Sequence, residues 1–179
     1  SILLMTLCFE GPGALLSFLV FVQDHPPVEA IGISIFHSIA AFNNSGFDIL
    51  GGLQNLIPYQ NNLLLNLTTA GLIIFGGLGF LVILDILKKR SFRALALHSK
   101  VVIVMSAVLI LLGTLLLKAT ENVTWLGAFF QSVSARPAGF STYPIGSFTD
   151  AGLFVLILLM FVGASPGSTG GGIKTPTLF

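Results

Sequence analysis

Phe36-His37-Ser38-Ile39-Ala40-Ala41 returns further along the chain as Phe130-Gln131-Ser132-Val133-Ser134-Ala135, and this repetition decides the fold. Closing one single-residue gap then lays Ser45-Gly46-Phe47 over Ala138-Gly139-Phe140. Each copy is a short apolar segment, about 31–42 and about 125–135, that runs into a turn of small or polar residues. The turns read Asn43-Asn44-Ser45-Gly46-Phe47 and Pro137-Ala138-Gly139-Phe140-Ser141. Apolar segments of roughly 10–14 residues fall short of the roughly 20 that cross a bilayer, and are more often buried or re-entrant helices.

Longer apolar stretches flank both segments. The first runs from about Ile2 to Val22 with an interruption at Glu10-Gly11-Pro12-Gly13, and the second covers about Leu63 to Leu87. The third covers about Val101 to Leu117, and the fourth begins near Gly152 and dissolves after Val162 into Gly163-Ala164-Ser165-Pro166-Gly167-Ser168-Thr169-Gly170-Gly171-Gly172. Phe75-Gly76-Gly77 lies over Phe161-Val162-Gly163, so both copies keep one order: span, dip, span, then span, dip, broken span. Irregular backbone at membrane depth is tolerated only where protein or a water-filled cavity surrounds it.

Composition agrees with a bilayer as solvent. The 179 residues are 54% hydrophobic and 8% charged, against about 25% charged in soluble domains. A water-soluble enzyme, a nucleic-acid binder and a disordered tail are excluded, and eight basic residues against seven acidic ones make no global field to attract nucleic acid. Five of those eight basic residues, Lys88, Lys89, Arg90, Arg93 and Lys100, share one short loop, which the positive-inside rule makes cytoplasmic. Asp24, Glu29 and Glu121, with Lys118, fall on the other side. Both dips therefore enter from outside, and the repeat is parallel. The organisation expected is an all-α membrane protein of potassium-channel-like tandem span–pore-loop–span units: 1–87 first, the basic loop 88–100, then 101–179 with its Gly-rich interruption at 163–172. Parallel units related about the membrane normal surround a central pore. Two copies do not close one, and the chain opens on Ser1 directly into apolar sequence, so it reads as a piece of something longer.

A helix that dips and returns as extended backbone leaves carbonyl groups in need of partners. A partly dehydrated cation satisfies them. The backbone around Asn44, Ser45, Gly46 and Phe47, and around Ala138, Gly139 and Phe140, is the expected ion-binding filter. Glycine permits φ > 0 at the turn and sets no Cβ in the ion path, while the C-terminal ends of the short helices favour cations. The alternative is a pair of interfacial helices ended by capping glycines. Pro166 and the five glycines of 163–172 are expected to form a movable gate under the filter, the alternative being a passive kink.

Other residues carry less. Glu10 is an acid inside a span, placed to bond freed backbone near an unwound end or to bind an ion, and Arg136 caps carbonyls at the end of a short helix. His37 and His98 lack metal-site spacing, and the single cysteine, Cys8, allows no internal disulfide. Asn66-Leu67-Thr68 and Asn122-Val123-Thr124 fit a glycosylation triplet that is common by chance. Ile173 separates Gly172 from Lys174 and so breaks a phosphate-loop pattern; nothing pairs a nucleophile with a base, and no enzyme activity or resident cofactor is expected.

Phe36-His37-Ser38 through Ala41-Phe42-Asn43-Asn44-Ser45-Gly46-Phe47 resembles the second pore loop of the Trk/Ktr/HKT potassium-transporter superfamily. Gln131-Ser132-Val133-Ser134-Ala135-Arg136-Pro137-Ala138-Gly139-Phe140 resembles its third. Gly163 to Thr175 resembles its glycine-rich interruption, the most specific part of the likeness, and Thr6, Glu10, Gly13 and Ala14 resemble its first-span pattern. The branch most resembled is the membrane subunit of the bacterial Ktr potassium uptake system. The resemblance implies four span–pore-loop–span units around one pore, of which the second and third are present, with Gly46 and Gly139 as two filter glycines and potassium as the preferred ion. Pro137 departs from the threonine more usual before Ala-Gly-Phe. The resemblance also implies an intramembrane gate at 163–172, a homodimer embedded in lipid, a cytosolic nucleotide-binding regulatory ring, a bacterial inner membrane, and Na+ as a coupling or activating ion. A secondary transporter that binds a small substrate at the broken helix, or an inactive fragment, are the competing readings.

Overall fold

The computed structural model describes residues 1–47, 50, 55–135 and 138–162, which form seven α-helices and three single 3-10 turns. Helix α1 spans Ile2–Phe21, its first turn capped by the Ser1 hydroxyl, which accepts from the Leu4 N–H at 3.3 Å. The interruption expected at Glu10-Gly11-Pro12-Gly13 does not occur: α1 runs unbroken with Pro12 inside it. Neighbouring helices and hydroxyls compensate for a proline in a membrane helix. Met5, Gly13, Ser17, Val20 and Phe21 are buried on one side of α1, while Leu3, Leu7, Leu15 and Leu19 are exposed. Exposed leucines suit a lipid-facing surface and not a watery one.

Pro27, whose missing N–H costs nothing in the first turn, begins α2 (Pro27–Phe42), and Glu29 sits in that turn. Helix α3 (Leu63–Leu78) is capped by Asn62, which accepts from Leu65 N at 3.0 Å. The single span expected over 63–87 is instead two helices. Gly79 adopts φ +87°, a conformation glycine takes without penalty, and α4 (Phe80–Lys89) leaves at 96° to α3. Asp85 pairs with Lys89 at 3.1 Å and accepts the Ala96 N–H at 2.9 Å, which fastens α4 to the start of α5 (Leu97–Thr120). Leu78 and Val82 pack on Val102 beneath this corner. Helices α1 and α5 are each long and apolar enough to cross a membrane.

After α5 come α6 (Trp125–Ser134), capped by Thr124, and α7 (Asp150–Phe161), capped by Thr149. The packing repeats as the sequence does. In the first copy α1 lies against α2 and α3; in the second α5 lies against α6 and α7; α3 meets α6 at the seam. The same joint appears in each. Ser38 Oγ donates to the Glu10 carbonyl at 2.6 Å, and Ser132 Oγ donates to the Ile110 carbonyl at 2.8 Å. Glycine opposite each serine allows the approach: a Cβ on Gly13 would lie 2.9 Å from Ser38 Oγ, and one on Gly113 would collide with Ser132 Oγ.

Candidate functional site

Each short helix ends just before its glycine turn. In the first copy the Asn43 N–H bonds Ile39 O at 3.0 Å and the Ser45 N–H bonds Ala40 O at 3.0 Å, with Asn44 at φ +53° and Gly46 at φ +67°. In the second, the Ala138 N–H bonds Ser134 O at 2.7 Å, and Gly139 follows at φ +82°. Both glycines hold the conformation that L side chains rarely adopt. The amides of Ser45 and Ala138 are thus committed to their own helix ends.

The two turns meet. A Cβ on Gly46 would collide with the Ala138 carbonyl oxygen and lie 2.8 Å from Gly139 Cα. All seven residues expected at the filter are therefore in or beside one contact: Asn44, Ser45, Gly46 and Phe47 from one copy, Ala138, Gly139 and Phe140 from the other. A cavity of about 430 Å³ opens beside them, walled by Asn44, Ser45, Ala138 and Gly139 on one side and Leu156, Ile157 and Met160 of α7 on the other. The arrangement sets the two glycine turns beside an apolar wall. Among the described residues no cluster of three His, Cys, Asp or Glu side chains exists to hold a metal by side-chain ligation.

Several supports were not legible in the sequence. His37 is buried, its Nε2 lies 2.8 Å from Thr69 Oγ1, and its ring meets the Phe140 ring edge-on at 5.2 Å. Gln131, at the equivalent position, donates from Nε2 to Ser141 Oγ at 2.9 Å, and that hydroxyl donates on to the Tyr143 carbonyl. Ser134 Oγ donates to the Phe140 carbonyl at 2.5 Å. Through His37 the first copy's short helix braces the second copy's turn, and the two Gly-Phe turns differ as a result. Phe140 is 2% exposed against His37, whereas Phe47 is 62% exposed beside the Phe36 ring.

Several other singled-out residues have structural partners. Glu10 does not sit at an unwound end; within the continuous α1 its Oε1 accepts from Asn43 Nδ2 at 3.2 Å, next to the first turn. Lys118 donates to the Val123 carbonyl at 2.6 Å and lies over the Trp125 ring. Glu121 accepts both the N–H and the hydroxyl of Thr149, at 2.8 and 2.7 Å, steadying the start of α7. Asn66 is buried and donates to the Tyr59 and Asn62 carbonyls, so its triplet is not an accessible glycosylation site. In the loop after the first turn, Tyr59 donates its hydroxyl to Asp24 at 3.0 Å, and its phenol is pushed up to about 12, first by burial and then by the Asp24 carboxylate. Arg136, Pro137, the expected gate at 163–172 and Lys174 lie outside the described residues.

Comparison with known proteins gives a consistent picture. A family model described as "TrkH: Cation transport protein" matches residues 15–117 and 99–179. The chain is 41% identical over 158 residues to Ktr system potassium uptake protein B of Vibrio alginolyticus, covering 80% of this chain and 34% of that protein. It is 37% identical to the potassium/sodium uptake protein NtpJ of Enterococcus hirae, over 93% of this chain and 39% of that protein. Ktr system potassium uptake protein B of Bacillus subtilis is 33% identical over 97% of this chain and 41% of its own length. The crystal structure of the potassium transporter TrkH from Vibrio parahaemolyticus superimposes with a TM-score of 0.66 at 23% identity, covering 92% of this chain and 36% of that one. The chain thus spans about two fifths of the length of these relatives, and the structural likeness carries the fold.

Proposed function

Since the chain belongs to the TrkH family of cation transport proteins, we propose that it forms two of four span–pore-loop–span units around a potassium pathway, with backbone carbonyls near Gly46 and Gly139 as ligands. The observation that carries this reading is the convergence of two left-handed glycines, one from each copy, at the C-terminal ends of two short helices. Helix C-termini present the negative end of the peptide dipole, and a ring of carbonyl oxygens replaces part of a cation's hydration shell. The exposure of Phe47, where its counterpart Phe140 is buried against a preceding copy, supports a further unit on that side. Potassium is the ion because relatives of this chain are named for its uptake.

The Gly-rich segment 163–172 begins where α7 ends, on the helix that walls the cavity beside the turns, and serves as the gate below the filter. The whole protein resides in the bacterial inner membrane as a homodimer with loop 88–100 on the cytoplasmic side. There it meets a cytosolic nucleotide-binding ring, with Na+ as coupling or activating ion.

The test is Gly139→Ser in the full-length protein, expressed in cells deficient in potassium uptake. The variant is expected to insert normally and to lose preference for K+ over Na+. An unchanged ratio overturns the filter assignment.

A further inference from the structure

We propose that Asn55 is a specificity-determining residue of the pore, acting by fixing the direction of the Gly139 carbonyl. The inference rests on the reading of that carbonyl as a cation ligand. Asn55 belongs to the first copy, in the loop that follows its glycine turn, and Gly139 is the glycine of the second copy. Asn55 Nδ2 donates to the Gly139 carbonyl oxygen at 3.3 Å. Of the two ends of an amide only the nitrogen carries hydrogens for such a bond. The next residue continues the grip: the Leu56 N–H donates to the Ser141 carbonyl at 2.9 Å. Consecutive residues of one copy therefore hold alternate residues of the other.

Two features show that Asn55 is placed at a cost. Its backbone is at φ +52°, in the left-handed region that asparagine tolerates better than most residues but does not favour. Among the described residues its buried Oδ1 has no hydrogen-bond partner, an unfavourable condition for a polar atom. The loop that carries it is anchored by the buried Leu56 and Tyr59 and by the bond from Tyr59 to Asp24. These anchors hold a strained asparagine against a carbonyl that the pore reading assigns to the ion.

The chemistry follows from the two lone pairs of a carbonyl oxygen. The Asn55 amide takes one and sets the dipole's direction, and the other remains for a cation. A carbonyl whose oxygen is held on one side cannot close freely on a smaller ion, so discrimination between K+ and Na+ depends on that hold. Asn55 touches the ligand and not the ion; it is a positioning residue.

The test uses the full-length protein in potassium-uptake-deficient cells and reads the ratio of K+ to Na+ uptake, a quantity that loss of folded protein leaves unmoved. Asn55→Gly keeps the left-handed backbone and removes the amide. Asn55→Asp keeps the shape and replaces the donor with an acceptor, and it serves as the second probe should the glycine variant fail to insert. Each is expected to lower the ratio about fivefold, the equivalent of one hydrogen bond, with Gly139→Ser measured beside them. Inserted variants with the wild-type ratio overturn the role of Asn55 if Gly139→Ser has changed it. If Gly139→Ser also leaves the ratio untouched, the pore reading itself fails.

Discussion

Gly46 and Gly139 approach each other unequally: a Cβ on Gly46 falls 2.8 Å from Gly139 Cα, whereas a Cβ on Gly139 lies 3.3 Å from Gly46 Cα. The two alanine variants should differ accordingly. Each incurs the cost of an L residue at positive φ, about 1–2 kcal/mol. Gly46→Ala also drives a methyl into the Ala138 carbonyl, which is backbone and cannot rotate away. The yield of monodisperse full-length protein should fall well below wild type for Gly46→Ala and only modestly for Gly139→Ala. Equal losses would count against the packing of the two turns.

The joint between α5 and α6 makes a coupled prediction. Ser132→Ala removes a hydrogen bond worth about 1 kcal/mol. Gly113→Ala overpacks the same point against Ser132 Oγ and Leu159 and should cost about 1–3 kcal/mol. Deleting the hydroxyl makes room for the new methyl, so the double variant should be more stable than the sum of the singles requires. Thermal unfolding of the four proteins measures the coupling, and strict additivity would refute it.

Tyr59 sets an alkaline limit. Its phenol is raised from 10.0 to about 12, so the fold favours the protonated form and the unfolded chain gives up the proton first. The stabilisation is whole below pH 10 and is lost as pH rises through 12. Thermal unfolding followed from pH 8 to 12 should fall more steeply for wild type than for Tyr59→Phe. Parallel slopes would show that the bond to Asp24 does not hold the phenol.

Orientation is open to chemical labelling. Cys8 is the one cysteine of these 179 residues, so Cys8→Ser, with any cysteine elsewhere in the full-length protein also replaced, supplies a background for cysteines placed at the exposed Ser91 and Asn61. In whole cells an impermeant maleimide should modify the Asn61 position and spare the Ser91 position until the membrane is opened. The reverse pattern would turn the molecule over.

Removal of Gly167 to Gly171 from the full-length protein should raise ion flux, as expected of a segment that obstructs the path. Flux that is unchanged or abolished, with normal insertion, would leave the segment a passive kink.

Much of this arrangement was legible in the sequence because it lives in repetition. The match of Phe36-His37-Ser38 to Phe130-Gln131-Ser132 locates both short helices, and Gly46 and Gly139 mark both turns. Four features escaped. Pro12 and its neighbours read as a break, yet α1 continues because packing overrides local propensity. Gly79 lies inside the stretch 63–87 that read as one span, whereas its φ turns the chain through a right angle. The second-span register is displaced by one: Leu72 and Leu159 take matching seats against Gly13 and Gly113, whereas aligning Phe75 with Phe161 places Leu72 over Leu158. The bond from Asn55 to Gly139 joins residues far apart in the chain through a polar side chain, and no periodic pattern announces such a contact.

The seam between α3 and α6, with His37 of one copy bracing Phe140 of the next, gives the molecule a direction. The second copy leans on the first. The surface that the second copy rests on is thus encoded first, and the part that rests on it follows in the chain. Damage to α3 therefore propagates forward into the second copy's short helix, which packs on it.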